Sequence, residues 1–185
     1  MFETFPHERT TIFHGYPDAD HRGRFAGGDV RVERADDGRV VAESANHRRT
    51  FAGLRKYRRW SALDALYFFG YAVWHYHTLP FTLREAEVVR ALPARGSTTG
   101  VDVVFPADVH THCRRQQFYF DATGRIVRHD YVAEIIGSWA RGAHFWEDYG
   151  AVNGLLVARR RRIVARAGRL ATTIPVLCIQ FGEPS

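Results

Sequence analysis

The chain has 185 residues, 45% apolar and 25% charged, which is ordinary for one globular domain and excludes a disordered chain, a collagen or a coiled coil. Its two cysteines, Cys113 and Cys178, exclude a disulfide scaffold and read as free thiols in a reducing compartment. A formal net charge of +6 comes with 26 basic residues, of which only Lys56 is lysine; the arginines are spread along the chain, and the clusters at 55–59 and 159–162 lack the interleaved aromatics of a nucleic-acid site, so a solvated basic face and no nucleic-acid partner are expected.

Residues 1–6 have neither a basic n-region nor an apolar h-region, so no export signal is read and a cytoplasmic address is expected. Residues 29–33 alternate with period two, and residues 39–43 follow across Ala35, Asp36, Asp37 and Gly38, which have hairpin-turn chemistry. Gly23, Gly27 and Gly28 suggest loops or a bulge just upstream. Ser61 reads as an N-cap with Asp64 in the first turn, residues 62–77 as a helix apolar all the way round, and Pro80 as its close. Its most apolar run, 65–74, is about half of a membrane span, so no membrane partner is expected. A helix without a polar face must be surrounded by other elements.

After the helix, strands are expected at 85–90, 101–105, 113–120, 125–135, 155–165 and 173–181. The clearest hairpin turns at Asp121 to Gly124, and a last turn is read at 166–169. Between Gly137 and Gly150 the pattern gives a short helical or irregular piece holding Trp139, His144, Phe145 and Trp146. A strongly twisted sheet can cover an all-round apolar helix by curling about it. The expected fold class is therefore α+β, mainly β. Residues 1–185 form a single domain, a strongly curved antiparallel half-barrel or open barrel wrapped around one long apolar helix. A cavity between helix and sheet would suit an apolar small-molecule ligand.

Residues 60–83, containing Leu66-Tyr67-Phe68-Phe69-Gly70-Tyr71-Ala72, resemble part of a largely uncharacterised actinobacterial family. So does the stretch from Gln117-Phe118-Tyr119-Phe120-Asp121 through Arg128-His129-Asp130-Tyr131. The family's fold pattern is similar to that of the outer-membrane lipoprotein carriers, a curled antiparallel sheet closed by helices around an apolar cavity. The resemblance implies a fold and a ligand type, and no catalytic residues. The chain departs from the lipoprotein carriers in lacking an export signal, so the cavity needs another task; fold-level analogy points to secondary metabolism.

Strand parity places the candidate chemistry. A short loop closing residues 121–125 would set Tyr119 opposite Val127, Gln117 opposite His129 and Arg115 opposite Tyr131. That set is the more apolar and is assigned to the cavity, while Arg114, Gln116, Phe118, Arg128 and Asp130 take the other side. His129, Tyr131 and Gln117 are then the candidate catalytic residues. An imidazole beside a phenol is a general acid/base pair whose pKa values burial can shift, and Gln117 would orient a carbonyl. The alternative is that His129 and Tyr131 only satisfy each other or the backbone. A one-residue bulge would swap the faces and bring Arg128, Asp130 and His112 inward.

The candidate substrate-binding residues are Tyr67, Tyr71, Trp74, Tyr119, His112 and His144. The first three share a helix face, as pocket wall or as core; His144 would sit on a flap over the cavity mouth or in a surface loop. His110 and His112 would share one side of a strand, but the residues after them break the cupin pattern. His75 and His77 are poorly spaced for one metal, and no Cys-x-x-Cys or His-Glu-x-x-His occurs, so no metal is expected. Residues 95–100 lack the Gly-Lys-Ser/Thr ending of a phosphate loop, and neither Gly-x-Ser-x-Gly nor a dinucleotide fingerprint is present, so no cofactor is expected. The functional expectation is a cofactor-independent small-molecule enzyme of secondary metabolism. Enclosure would promote cyclisation or isomerisation of an apolar polyketide- or terpenoid-like substrate. The alternative is a non-catalytic carrier for a lipid or other apolar ligand.

Overall fold

The computed structural model describes residues 1–152, 155–168 and 170–180, with the backbone alone of Arg95, Val152 and Leu155. The described chain is mainly β, in two antiparallel sheets, neither closed into a barrel. It divides into two compact units, Met1–Glu85 with Pro106–His112, and Ala86–Phe105 with Cys113–Ser185. The strands are thus shared between two sheets instead of forming one.

In the first unit, β1 (Phe2–Phe5), β2 (Thr10–His14), β3 (His21–Ala26), β4 (Asp29–Arg34) and β5 (Val40–Ser44) lie side by side in chain order. The hairpin of β4 and β5 turns where the sequence places it. Alternation sends Phe25, Val30 and Val32 into the core. Helix α1 (Ala62–Thr78) packs on this sheet. Its start is a capping box: the Ser61 hydroxyl accepts from the Asp64 N–H at 3.2 Å, and the Asp64 carboxylate accepts from the Ser61 N–H at 2.8 Å. Leu79 caps the other end ahead of Pro80. Burial works against the Asp64 charge, but hydrogen bonds from Ser61 and His47, with Arg58 nearby, hold its carboxyl below the usual range.

The helix is not enclosed along its whole length, since Phe69 is 47% exposed. On the sheet side the approach is close. A Cβ on Gly70 would lie 2.3 Å from Phe25 Cβ, and one on Gly23 would lie 2.7 Å from a Leu66 methyl. Gly23, expected in a loop or bulge, is in the middle of β3 because the helix presses against it there. The Thr11 hydroxyl donates to the Gly70 carbonyl at 3.1 Å across the same seam.

The second unit is a seven-stranded meander: β6 (Val88–Arg95), β7 (Thr98–Val104), β8 (Arg115–Phe120), β9 (Ile126–Val132), β10 (Arg141–Val152), β11 (Leu155–Ala167) and β12 (Leu170–Gln180), each beside the next. The expected irregular piece between Gly137 and Gly150 is mostly β10. Its side chains alternate, with His144 and Trp146 on one face and Phe145 and Glu147 on the other. Arg169, in the expected last turn, and Phe181, at the end of the last expected strand, lie outside the described residues.

One face of this sheet carries buried Val103, Phe118, His129, His144 and Ile163. The other carries ion pairs, Arg115 to Asp102 at 2.7 Å and Arg160 and Arg162 to Glu147 at 3.1 Å each. The cluster at 159–162 is therefore split by the pleat. Arg161 is not part of a solvated face: it is 2% exposed, with its guanidinium 3.9 Å from the centre of the Trp146 ring. No described helix is long and apolar enough to cross a membrane.

Candidate functional site

The hairpin of β8 and β9 decides which residues meet. Phe120 pairs with Ile126, in the register that the expected loop implies, but the next pair is Tyr119 with Arg128. Val127 is an extra residue in β9, and this bulge shifts every later pair by one. Gln117 therefore lies opposite Asp130, and His129 opposite Phe118. The expected catalytic set is divided by the sheet, with His129 and Tyr131 on one face and Gln117 on the other, where the expected substrate-binding Tyr119 also lies.

On the buried face, the His129 ring stacks on Phe118 with centroids 4.3 Å apart and planes 9° apart, and its Nε2 bonds Gln116 Oε1 at 2.5 Å. The Gln116 amide nitrogen donates to the Cys113 carbonyl at 2.6 Å. Tyr131 is 4.9 Å from His129, ring to ring. His144, expected on a flap or surface loop, is fully buried opposite His129 on the neighbouring strand.

The opposite face holds a groove of about 280 Å³, lined by Leu92, Pro93 and Ala94 of β6, Gln117 and Tyr119 of β8, Arg128 and Asp130 of β9, and Arg166 of β11. Two features of the strands open it. The pairing of β6 with β7 is irregular between Leu92 and Arg95, where Pro93 cannot donate to the ladder. Gly100, opposite Leu92, lets the Tyr119 ring lie low across the sheet, since a Cβ there would be 3.0 Å from the ring edge. The Tyr119 hydroxyl donates to Gln117 Oε1 at 3.2 Å. Asp130, 2% exposed, accepts two hydrogen bonds from Arg128, at 2.7 and 2.9 Å.

In the first unit the helix tyrosines meet histidines. His110 and His112 lie in a bend, not a strand, and both reach α1. Tyr67 bonds His110 Nδ1 at 2.6 Å; Tyr71 bonds His112 Nδ1 at 3.1 Å and Tyr76 bonds His112 Nε2 at 2.6 Å. The Arg48 guanidinium donates to the Thr111 carbonyl at 2.7 Å and steadies the bend. Burial, then the charges of His75 and Arg48, push the His112 pKa well below the ordinary imidazole value. Burial, with Arg48 and Arg9, lowers that of His110 as well. Burial raises the Tyr67 pKa against the opposing pull of Arg48. A neutral imidazole donates from one nitrogen and accepts at the other, so Tyr76, His112 and Tyr71 form a chain along which hydroxyl protons are ordered. Trp74 is fully buried and donates to the Pro6 carbonyl at 3.1 Å, a core position.

Sequence reasoning missed Gln116 as the partner of His129, Tyr76 as the second partner of His112, and Arg166 in the groove. Among the described residues no three metal-ligating side chains come together. No known protein family, curated protein or solved structure matches the chain.

Proposed function

We propose that the protein is a small-molecule binding protein, a carrier, whose site is the groove on the charged face of the second unit's sheet. The observation that carries this reading is the groove itself, a hollow of about 280 Å³ with an apolar wall and a few convergent polar groups, near the lower end of small-molecule sites. It is bounded by both β6 and β11. Five strand spacings would part these by about 24 Å on a flat sheet. A hollow this small touching both supports a sheet that curls toward this face as an open half-barrel.

Native mass spectrometry of the protein as purified from cells tests the reading. One retained small molecule per chain, lost when Ala94→Trp fills the groove, is the expected result. Wild-type protein that retains nothing and captures neither octanol nor octanoate would overturn it.

A second reading, cofactor-independent cyclisation or isomerisation of an apolar polyketide- or terpenoid-like substrate, is favoured by the Tyr76–His112–Tyr71 chain. A neutral imidazole bonded to two phenols is suited to pass a proton between positions of a substrate. His129 and Tyr131 also lie side by side, 4.9 Å ring to ring. This reading expects an isomer of unchanged mass to form when the protein is incubated with a metabolite extract, and the conversion to vanish in Tyr76→Phe. The binding reading comes first because the groove holds no histidine.

A further inference from the structure

Resting on the binding reading, we infer that the groove takes the carboxylate end of a small amphipathic acid, with Arg166 and Arg128 as its anion anchors. Two guanidinium groups line the groove beside one carboxylate, that of Asp130. Arg128 holds Asp130 through Nε at 2.7 Å and Nη2 at 2.9 Å. Its guanidinium lies 5.5 Å from the ring centres of both Tyr119 and Phe145, so its plane is fixed before any ligand arrives.

Arg166 is placed differently. Its Nη1 donates to the Gly168 carbonyl at 2.6 Å, but its Nε approaches Asp130 only to 3.7 Å. That Nε is buried and has no hydrogen-bond partner. A buried donor without an acceptor is unfavourable, the more so on a charged group. The Arg166 side chain still keeps 15% of its surface exposed, and a ligand carboxylate set against that exposed part supplies the missing negative charge. Gln117 accepts from Tyr119 with its amide oxygen, which leaves its amide N–H groups to donate toward the same ligand.

Charge selects the kind of anion. The two arginines and Asp130 sum to one positive charge. A carboxylate balances it, whereas a phosphate, carrying about −1.5 to −2, exceeds it next to a buried aspartate. The remaining lining, Leu92, Pro93, Ala94 and the Tyr119 ring, offers nothing to a polar tail and contact to an aliphatic or aromatic one. The ligand class is therefore a monocarboxylic acid with a compact apolar body.

Isothermal titration with octanoate, octanol and inorganic phosphate tests this on the full chain and on two variants, with circular dichroism to confirm folding. Octanoate should bind at one site, at least tenfold more tightly than octanol, and phosphate should not bind. Arg166→Gln should weaken octanoate at least tenfold. Ala94→Trp, at an exposed position away from the ion pair, should abolish binding, and it carries the test if Arg166→Gln does not fold. Octanol binding as tightly as octanoate would overturn the inference while the binding reading stands. Phosphate binding as tightly as octanoate, or octanoate binding unchanged in folded Arg166→Gln, would also overturn it. No binding of either chain molecule, by protein that native mass spectrometry shows to retain nothing, would overturn both.

Discussion

In the first unit Gly70 lies so close to Phe25 that even a methyl group would have to displace it, whereas in the second Gly100 lies under the Tyr119 ring and a hollow opens on the same face. Both glycines permit a close approach, with opposite results. At Gly70 helix and sheet meet along complementary apolar surfaces, and burial closes the seam. At Gly100 the neighbours are Tyr119 and Leu92, and in the groove beside them Tyr119 is tied to Gln117 and Arg128 to Asp130 by hydrogen bonds whose directions hold the side chains apart. Among the described residues, the groove opens among tethered polar side chains on the second unit's sheet, while the seam at Gly70 is closed.

Substitutions in the two units should separate them further. The largest effect is expected at Asp64, 1% exposed, which caps α1 and pairs with His47 at 3.0 Å. Asp64→Ala should cost about 3 kcal/mol in urea denaturation, because the cap and a buried partner go together. Gly70→Ala comes next. Helix propensity alone would favour it by up to about 1 kcal/mol, but Phe25 Cβ cannot move aside as a flexible tip can, and a net loss of about 2 kcal/mol is expected.

A third effect separates the units by pH. His110 and His112, both in the first unit, have pKa values lowered chiefly by burial. In the unfolded chain they return toward about 6.5. Below that pH the unfolded state binds more protons than the folded one. Stability is therefore present above about pH 6.5 and is lost as pH falls below it, at up to about 1.4 kcal/mol per pH unit for each such proton. Urea midpoints at about pH 7.5 and about pH 5.5 should differ for wild type and differ less for His112→Gln. The smallest effect on stability is expected at Gly100→Ala. A Cβ 3.0 Å from the Tyr119 ring edge meets a side chain able to swing, so the cost should stay under about 1 kcal/mol while octanoate binding weakens.

What was legible in the sequence is what depends on local chemistry. Ser61, Asp64 and Pro80 mark α1 because capping and the exclusion by proline act within a turn. Gly38 and its neighbours mark the turn of β4 into β5 in the same way. The register of β8 on β9 was not legible. An extra Val127 leaves no trace in a run of strand-forming residues, yet it moves Gln117 away from His129 and toward Asp130. Nor was β10, where glycines and aromatics hide the alternation that its neighbours enforce. The spacing of His110 and His112 would put both on one side only if their segment were a strand, and it is irregular. The available signal was Tyr67 and Tyr71 one helical turn apart, ready to receive two histidines spaced two apart on an irregular segment. The groove had a signal too: Pro93 inside a strand marks an irregularity.

Titration of the isotopically labelled protein with octanoate, followed by amide chemical shifts, locates the ligand site directly. Saturable changes are expected at Leu92, Ala94, Gln117, Tyr119, Arg128 and Arg166, and none at Gly23, Phe25 or Gly70. Changes centred on the helix seam of the first unit, with the groove residues silent, would contradict the binding reading.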